Sequence, residues 1–388
     1  SHPTEITNPL FPVSRQASVL LLGQVGGLPF RTEVTLLDET RIIEWQGQRV
    51  EVAVSQYSAY LDGKITEIAI DFYAQADDGS VWYFGEDVFD FRDGAIVVTE
   101  GSWLAGRDGP AAMIMPADPR VGYVYRPENA PGFVFEEVTV ASVNEALDGP
   151  LGPIEGGMIA DELHMDGGHE QKVFAPGYGE FLTGGGGDVE ALALAVPTDA
   201  SSEPMPGELT ALSDGALAAF DALESEDWSV AAASGSDMAA AWETHRASDV
   251  PRLIEPLMTD ALGAFADAVD AQDAAQARQA AIEVARFAFD LQLRFRTVVE
   301  VDLDRLGLWA AQLMVDAAAD DQPAFNADAF ALDYVRDRIV HALNSSDRIA
   351  VSIEVGAIQG AVLDEDLAAG AEAAASLRSI LAGLEPAS

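Results

Sequence analysis

Two regimes of hydrophobic patterning divide the chain. From Ser18 to Leu194, short apolar runs alternate with polar positions and are broken by Gly, Asp and Pro, the period-2 signature of strands. From about Gly207 onward apolar residues recur at helical spacing and alanine dominates. The first regime is organised around Phe72–Asp87, FYAQADDGSVWYFGED. It reads as two antiparallel strands joined by a polar turn at Asp77–Asp78–Gly79–Ser80, with most of its aromatics directed into a β core.

Further strands are predicted at Ser18–Gln24, Phe30–Leu37, Arg41–Trp45, Arg49–Tyr60, Lys64–Tyr73, Val88–Phe91 and Ile96–Thr99. Gln46–Gly47–Gln48 has hairpin-like spacing, and Asp62–Gly63 and Asp93–Gly94 favour the positive dihedrals of two-residue hairpin turns. The stretch Gly101–Gly132 is too apolar for a solvent loop and too rich in Gly and Pro for a helix, which predicts an ordered excursion covering one end of the sheet. Strands return at Phe133–Ser142, Met158–Met165, Gln171–Phe174, Glu180–Thr183 and Val189–Val196. Leu10, Phe11 and Val13 are expected to pin the polar N-terminal lead to this core.

Pro197–Gly207 has linker composition. Helices are predicted at Glu208–Glu224, Trp228–His245, Pro251–Asp270, Ala274–Thr297, Asp302–Asp320, Asn326–Leu343 and Glu365–Leu381, with Ser213, Asp214, Asp227, Asp249 and Asp302 as candidate N-caps. Gly356 and Gly360 argue against a helix over Ile349–Leu363, and Ile349–Val355 is the strand candidate of this half. Short linkers between helices imply antiparallel neighbours. The fold class is therefore α+β: an antiparallel β-sheet or half-barrel domain over residues 1–196, a linker over 197–207, and an all-α helical bundle over 208–388.

The ordered segments FYAQADDGSVWYFGED, GSWLAGRDGPAAMIMPADPRVG, YRPENAPG and VFAPGYGEF resemble a family of uncharacterised bacterial exported, lipoprotein-like β-rich proteins. The likeness covers roughly residues 8–185 and departs at Ser18–Gly23, where that family tends to carry a Trp-containing strand. It implies a β fold and export, and brings no activity with it. The helical half faintly resembles imelysin-like metal-associated bundles, but their His-x-x-Glu motif is missing, so no site residue carries over.

Charge narrows the partners. Sixty-five acidic against 21 basic residues give −44, and only Lys64 and Lys172 are lysines. Such a field repels nucleic acid and anionic membrane and attracts cations. An acidic, lysine-poor surface also suits solubility in salt, a halophilic adaptation. The chain has no cysteine, which excludes disulfides, thiolate metal sites and cysteine nucleophiles. No apolar run reaches the ~18–20 residues of a membrane span. The start at SHPTEITNPLFPV, without an initiator Met, suits a processed chain, and export to the periplasm, cell surface or exterior is the expectation.

The best metal-like cluster is His164-Met-Asp-Gly-Gly-His169-Glu170, two histidines around a glycine turn, with Asp161, Glu162 and Asp166 beside it. Its competing reading is an exposed hairpin tip that happens to hold two histidines. Asp77–Ser80 with Glu86–Asp87 lacks the alternating frame of a calcium loop, and Gly184–Asp188 lacks the Gly-Lys-Ser/Thr of a phosphate loop. The charged segment from Asp290 to Arg305 reads as a structural clasp, with Asp290 and Arg294 on one helix face and Arg294 and Arg296 drawn inward to carboxylates. Trp82, Tyr83, Phe84, Trp103 and Met115 either build the core or line an apolar cavity.

No nucleophile-elbow or di-iron motif singles out a catalytic residue. The expectation is a non-enzymatic envelope or secreted binding protein for a divalent cation. The alternatives are a carrier of an apolar small molecule in the β domain, and a structural protein whose bundle supplies a homo-oligomeric or envelope-partner interface.

Overall fold

In a computed structural model, which describes residues 2–99 and 101–384, the chain forms two compact units. The first runs to Asp199 and the second begins at Ala200, with the short piece Asp93–Ala95 grouped with the second. The architecture is α+β: a large antiparallel sheet is followed by helices.

The strands are β1 (Ser18–Val25), β2 (Leu28–Trp45), β3 (Gln48–Leu61), β4 (Lys64–Gln75), β5 (Val81–Arg92), β6 (Ala95–Val98), β7 (Trp103–Leu104), β8 (Ala112–Met115), β9 (Val124–Ala130), β10 (Val134–Asp148), β11 (Pro153–His164), β12 (His169–Ala175), β13 (Gly179–Gly185) and β14 (Asp188–Val196). Their order in the sheet is β6-β5-β4-β3-β2-β1-β14-β13-β12-β11-β10-β9, with β7 and β8 added on β5. Two meanders thus meet where the first strand pairs with the last, Ser18 opposite Val196. At the other ends of the path β8 lies beside β9, so the sheet curls around an interior.

The predicted hairpin at Phe72–Asp87 is present as the facing ends of β4 and β5, and Asp62–Gly63 turns β3 into β4 with φ of 50° and 78°. Two expectations change. Phe30–Leu37 and Arg41–Trp45 are one long strand, β2, whose pairing with β3 slips between Leu36 and Thr40; the polar residues between them are a bulge and not a turn. The Gly- and Pro-rich excursion does not merely cover an end of the sheet. Trp103 and Met115 are fully buried, and the backbone beside them extends the sheet as β7 and β8.

Leu10 and Val13 are buried with Ile6 in the core of this unit, and Phe11 packs against it. Gln75 fixes the lead by accepting from the backbone of Thr7 and Asn8 at 2.8 and 2.9 Å. Asn8 in turn donates to the carbonyls of Gly79 and Pro116.

The second unit contains α1 (Gly207–Leu223), α2 (Trp228–His245), α3 (Ile254–Ala271), α4 (Ala274–Gln292), α5 (Val298–Ala318), α6 (Gln322–Ile339), α7 (Ser345–Asp364) and α8 (Leu367–Leu381). α1 packs on α2 and α4, and α5 on α4, α6 and α8. The residues Ile349–Val355 are helical, not a strand. Asn344 caps α7 by accepting from Ser346 and Asp347, and Gly356 and Gly360 weaken the helix without ending it.

Asp227 caps α2 as expected, whereas Ser213 and Asp214 lie inside α1, and α3 starts after Leu253 without a side-chain cap at Asp249. α5 begins earlier than the sequence suggests, at a capping box of Thr297 and Glu300, so that Asp302 is an interior residue. There it helps form the clasp, whose partners differ from those expected. Arg305 bridges Asp290 at 2.7 Å and Asp302 at 3.0 Å, all three buried, and Arg338 stands 3.9 Å from Asp302. Arg294 instead caps the carbonyl of Asp249, and Arg296 pairs with Asp304.

Candidate metal centre

β11 and β12 are joined by the turn Met165–Gly168, closed by the backbone bond from Gly167 to the carbonyl of His164. Asp166 shapes this turn by accepting from the Gly168 amide at 2.8 Å. Pairing places Glu162 opposite Glu170 and, on the other side of β11, His164 opposite Glu136 of β10. Because alternate strand residues share a face, Glu162 and His164 point the same way and the exposed Asp161 points the other.

The result is a cluster built from three strands. His164 Nδ1 lies 3.4 Å from Glu136 Oε1, and its Nε2 lies 3.5 Å from Glu170 Oε2 and 4.0 Å from Glu162 Oε2. One donor atom each from Glu136, Glu162 and His164 falls within a 4.8 Å sphere of mutual separation. His164 Nε2 is buried and has no hydrogen-bond partner. Two ligands on a tetrahedral ion with bonds near 2.0–2.1 Å are about 3.4 Å apart. Of the two Nε2–carboxylate separations, the 3.5 Å to Glu170 is near that spacing and the 4.0 Å to Glu162 exceeds it.

The electrostatics favour a cation. The hydrogen bond to Glu136, working against burial, pushes His164 up to about 9. Burial opposes charge on Glu136, but the His164 bond and the Lys172 ammonium outweigh it and hold that carboxyl below its usual range. Glu162 is fully buried and is raised to about 7 by burial, against the pull of Lys172, whose Nζ is 3.2 Å away. Burial disfavours charge on Lys172 as well, yet Glu180, Glu162 and Glu136 together keep it charged.

Of the residues singled out in the sequence, the structure brings together His164 and Glu170. Asp166 and His169 border the same surface depression, Asp166 as a turn former and His169 as an exposed residue, and neither adds a donor to the cluster. Asp161 projects from the opposite face. Sequence reasoning missed Glu136, which belongs to a neighbouring strand, and left Glu162 as a bystander. The signal available was strand parity: in MIADELHM, Glu162 and His164 are two apart and so share a face, as do Glu170 and Lys172 in HEQKVF.

These residues stand at the rim of a larger interior space. A cavity of about 690 Å³ lies inside the curled sheet, and among the described residues its wall carries eleven carboxylates, five tyrosines and a single lysine, Lys172. Of the residues that the sequence leaves between core and cavity lining, Phe84, Trp103 and Met115 are packed in the core, Trp82 packs against it, and Tyr83 also faces the cavity. Among the described residues no helix is long and apolar enough to cross a membrane. In comparisons with known proteins, the chain matches no family model and no curated protein.

Proposed function

We propose that this is a non-enzymatic binding protein of the cell envelope or extracellular space that holds a divalent metal ion at Glu136, Glu162 and His164. The observation that carries the reading is the convergence of one ligand atom each from Glu136, Glu162 and His164 within 4.8 Å of one another, beside a buried His164 Nε2 that makes no hydrogen bond. Glu170, 3.5 Å from His164 Nε2, stands beside the three ligands as an outer acid. Zinc or a similar borderline ion suits one imidazole with two carboxylates. The resemblance of the β half to exported proteins supports the envelope setting. Carriage of a wholly apolar molecule in the cavity is disfavoured by the carboxylates on its wall.

The test is metal content by mass spectrometry after extensive dialysis, followed by zinc titration against a chromogenic chelator. About one ion per chain is expected, lost in His164→Ala and in Glu162→Gln. Glu136→Gln is expected to lose the ion as well, whereas Glu170→Gln is expected to retain the site with affinity roughly 10–100-fold weaker, the usual effect of losing an outer partner. Parent protein without saturable zinc binding, or His164→Ala with unchanged metal content, rejects the site. Because the ion displaces the Nε2 proton from a group near 9, the apparent affinity should fall about tenfold per pH unit between pH 9 and 7.

A further inference from the structure

We propose that the interior cavity of the β domain is a binding site for an organic ammonium compound, a molecule carrying amino groups on an apolar body. The inference goes beyond the metal reading and rests on a different wall of the cavity. The sheet register sets acids directly opposite acids on its inner face: Glu67 opposite Asp90 and Asp71 opposite Glu86, both between β4 and β5. Like charges directly opposite each other are destabilising in an antiparallel pair. Two such pairs side by side on the wall of a half-open cavity favour a positive occupant.

Lys172 answers only one side. Its Nζ reaches Glu162 at 3.2 Å and Glu180 at 3.8 Å. On the β4–β5 wall the groups acting on Glu67 and Asp71 are acids and tyrosines, with no base among them. Burial raises both carboxyls to about 7, so protons stand in for the missing cation. An ammonium supplies that charge together with N–H donors.

A second observation, across the cavity beside Glu162 and Lys172, also points to a ligand. The hydroxyl of Tyr125, on β9, is buried on the cavity wall and makes no hydrogen bond. Tyr125 is only 5% exposed, so water does not serve it from outside the domain. Unsatisfied buried hydroxyls are uncommon in native proteins and call for a partner.

The remainder of the wall sets the chemistry of the body. Tyr73 and Tyr83 stack with ring centroids 4.9 Å apart, and Tyr83 is fixed by donating to Asp71 at 2.6 Å. Phe11, edge-on to Tyr73, adds an apolar face beside them, while Phe30 and Val34 line the cavity further along β2. Aromatic faces next to carboxylates recognise an ammonium through its charge and its attached carbons together. A bare metal ion would gain nothing from those apolar side chains, and a neutral apolar ligand would leave the acids unanswered.

The experiment is calorimetric titration of the full, chelator-dialysed chain at pH 8 with phenethylammonium and with 1,6-diaminohexane. Their uncharged counterparts, 2-phenylethanol and 1,6-hexanediol, serve as controls, and all titrations are repeated in high salt. Saturable binding of at least one amine at one per chain, surviving salt, with the matching alcohol silent, is the expected result. The double variant Glu67→Gln, Asp71→Asn should weaken that amine at least tenfold while keeping the zinc content of the parent, so that failure of this site and of the His164 site are separately visible. Tyr125→Phe, which removes one oxygen and leaves the packing, should weaken it about threefold or more. The proposal is overturned if neither amine saturates, if an alcohol binds as tightly as its amine, if salt abolishes the signal as a diffuse surface field requires, or if Glu67→Gln, Asp71→Asn binds like the parent.

Discussion

At Gly85 the backbone has φ of +123°, and a Cβ there would press into the carbonyl of Trp103 on β7. The strand changes phase nearby: Tyr83 faces the cavity before Gly85, and Glu86, Val88 and Asp90 face it after. Gly85→Ala is therefore expected to cost about 2–4 kcal/mol through strain and lost pairing, seen as a lower midpoint in denaturant at unchanged slope. A midpoint within error of the parent would show that β7 yields freely. In the bundle, Arg305→Ala leaves Asp290 and Asp302 buried without their shared guanidinium and should cost about 3–5 kcal/mol by the same measurement. What the sequence discloses at this scale is local. His164 and Glu170 flank one turn and can be paired on paper, whereas Glu136 joins them only through the β10–β11 register, which no short motif encodes.

Among the elements, strands and helices followed their periodicities closely, and the departures have a common cause. Gly356 and Gly360 read as breakers of Ile349–Leu363, yet an exposed helix with a good cap tolerates glycine at about 1 kcal/mol per residue relative to alanine. The space around Gly356 and Gly360 is open, so a methyl group there meets nothing. Gly356→Ala and Gly360→Ala should each stabilise α7 by roughly 0.5–1 kcal/mol, measured by amide hydrogen exchange in that helix; slower exchange is the expected outcome and faster exchange contradicts it. The other misreadings were of the same kind. The polar break in β2 was a bulge, and Asp302 resembled a cap because its true surroundings, Arg305 and Arg338, come from elsewhere in the bundle as well as from the next turn.

For the whole molecule, the interior acids link stability to pH. Glu67, Asp71, Glu128, Glu162 and Glu190 are each raised to about 7 by burial, so the folded state holds protons that the unfolded chain releases near pH 4. Their contribution is complete below the unfolded value and is lost as pH rises through about 7. His164, raised to about 9, works in the same direction at higher pH. The metal-free protein should therefore melt higher at pH 5 than at pH 8 in its β-domain transition, and added zinc should reduce the difference. Melting that rises from pH 5 to pH 8 would show that these acids are not protonated inside.

The pairing of Ser18 with Val196 has a consequence for the order in which the molecule is made. Each meander, the one from β1 to β6 and the one from β9 to β14, is a chain of sequence neighbours that can form hairpin by hairpin as it leaves the ribosome. The cavity wall is divided between them: Glu67, Asp71 and Tyr83 come with the first, and Tyr125, Glu162, Lys172 and Glu190 with the last. Until β14 has been synthesised and has found β1, neither half encloses anything. Closure of the cavity is thus deferred to the final moment of synthesis of this domain, and a nascent chain stalled short of Val196 would carry its acids open to water.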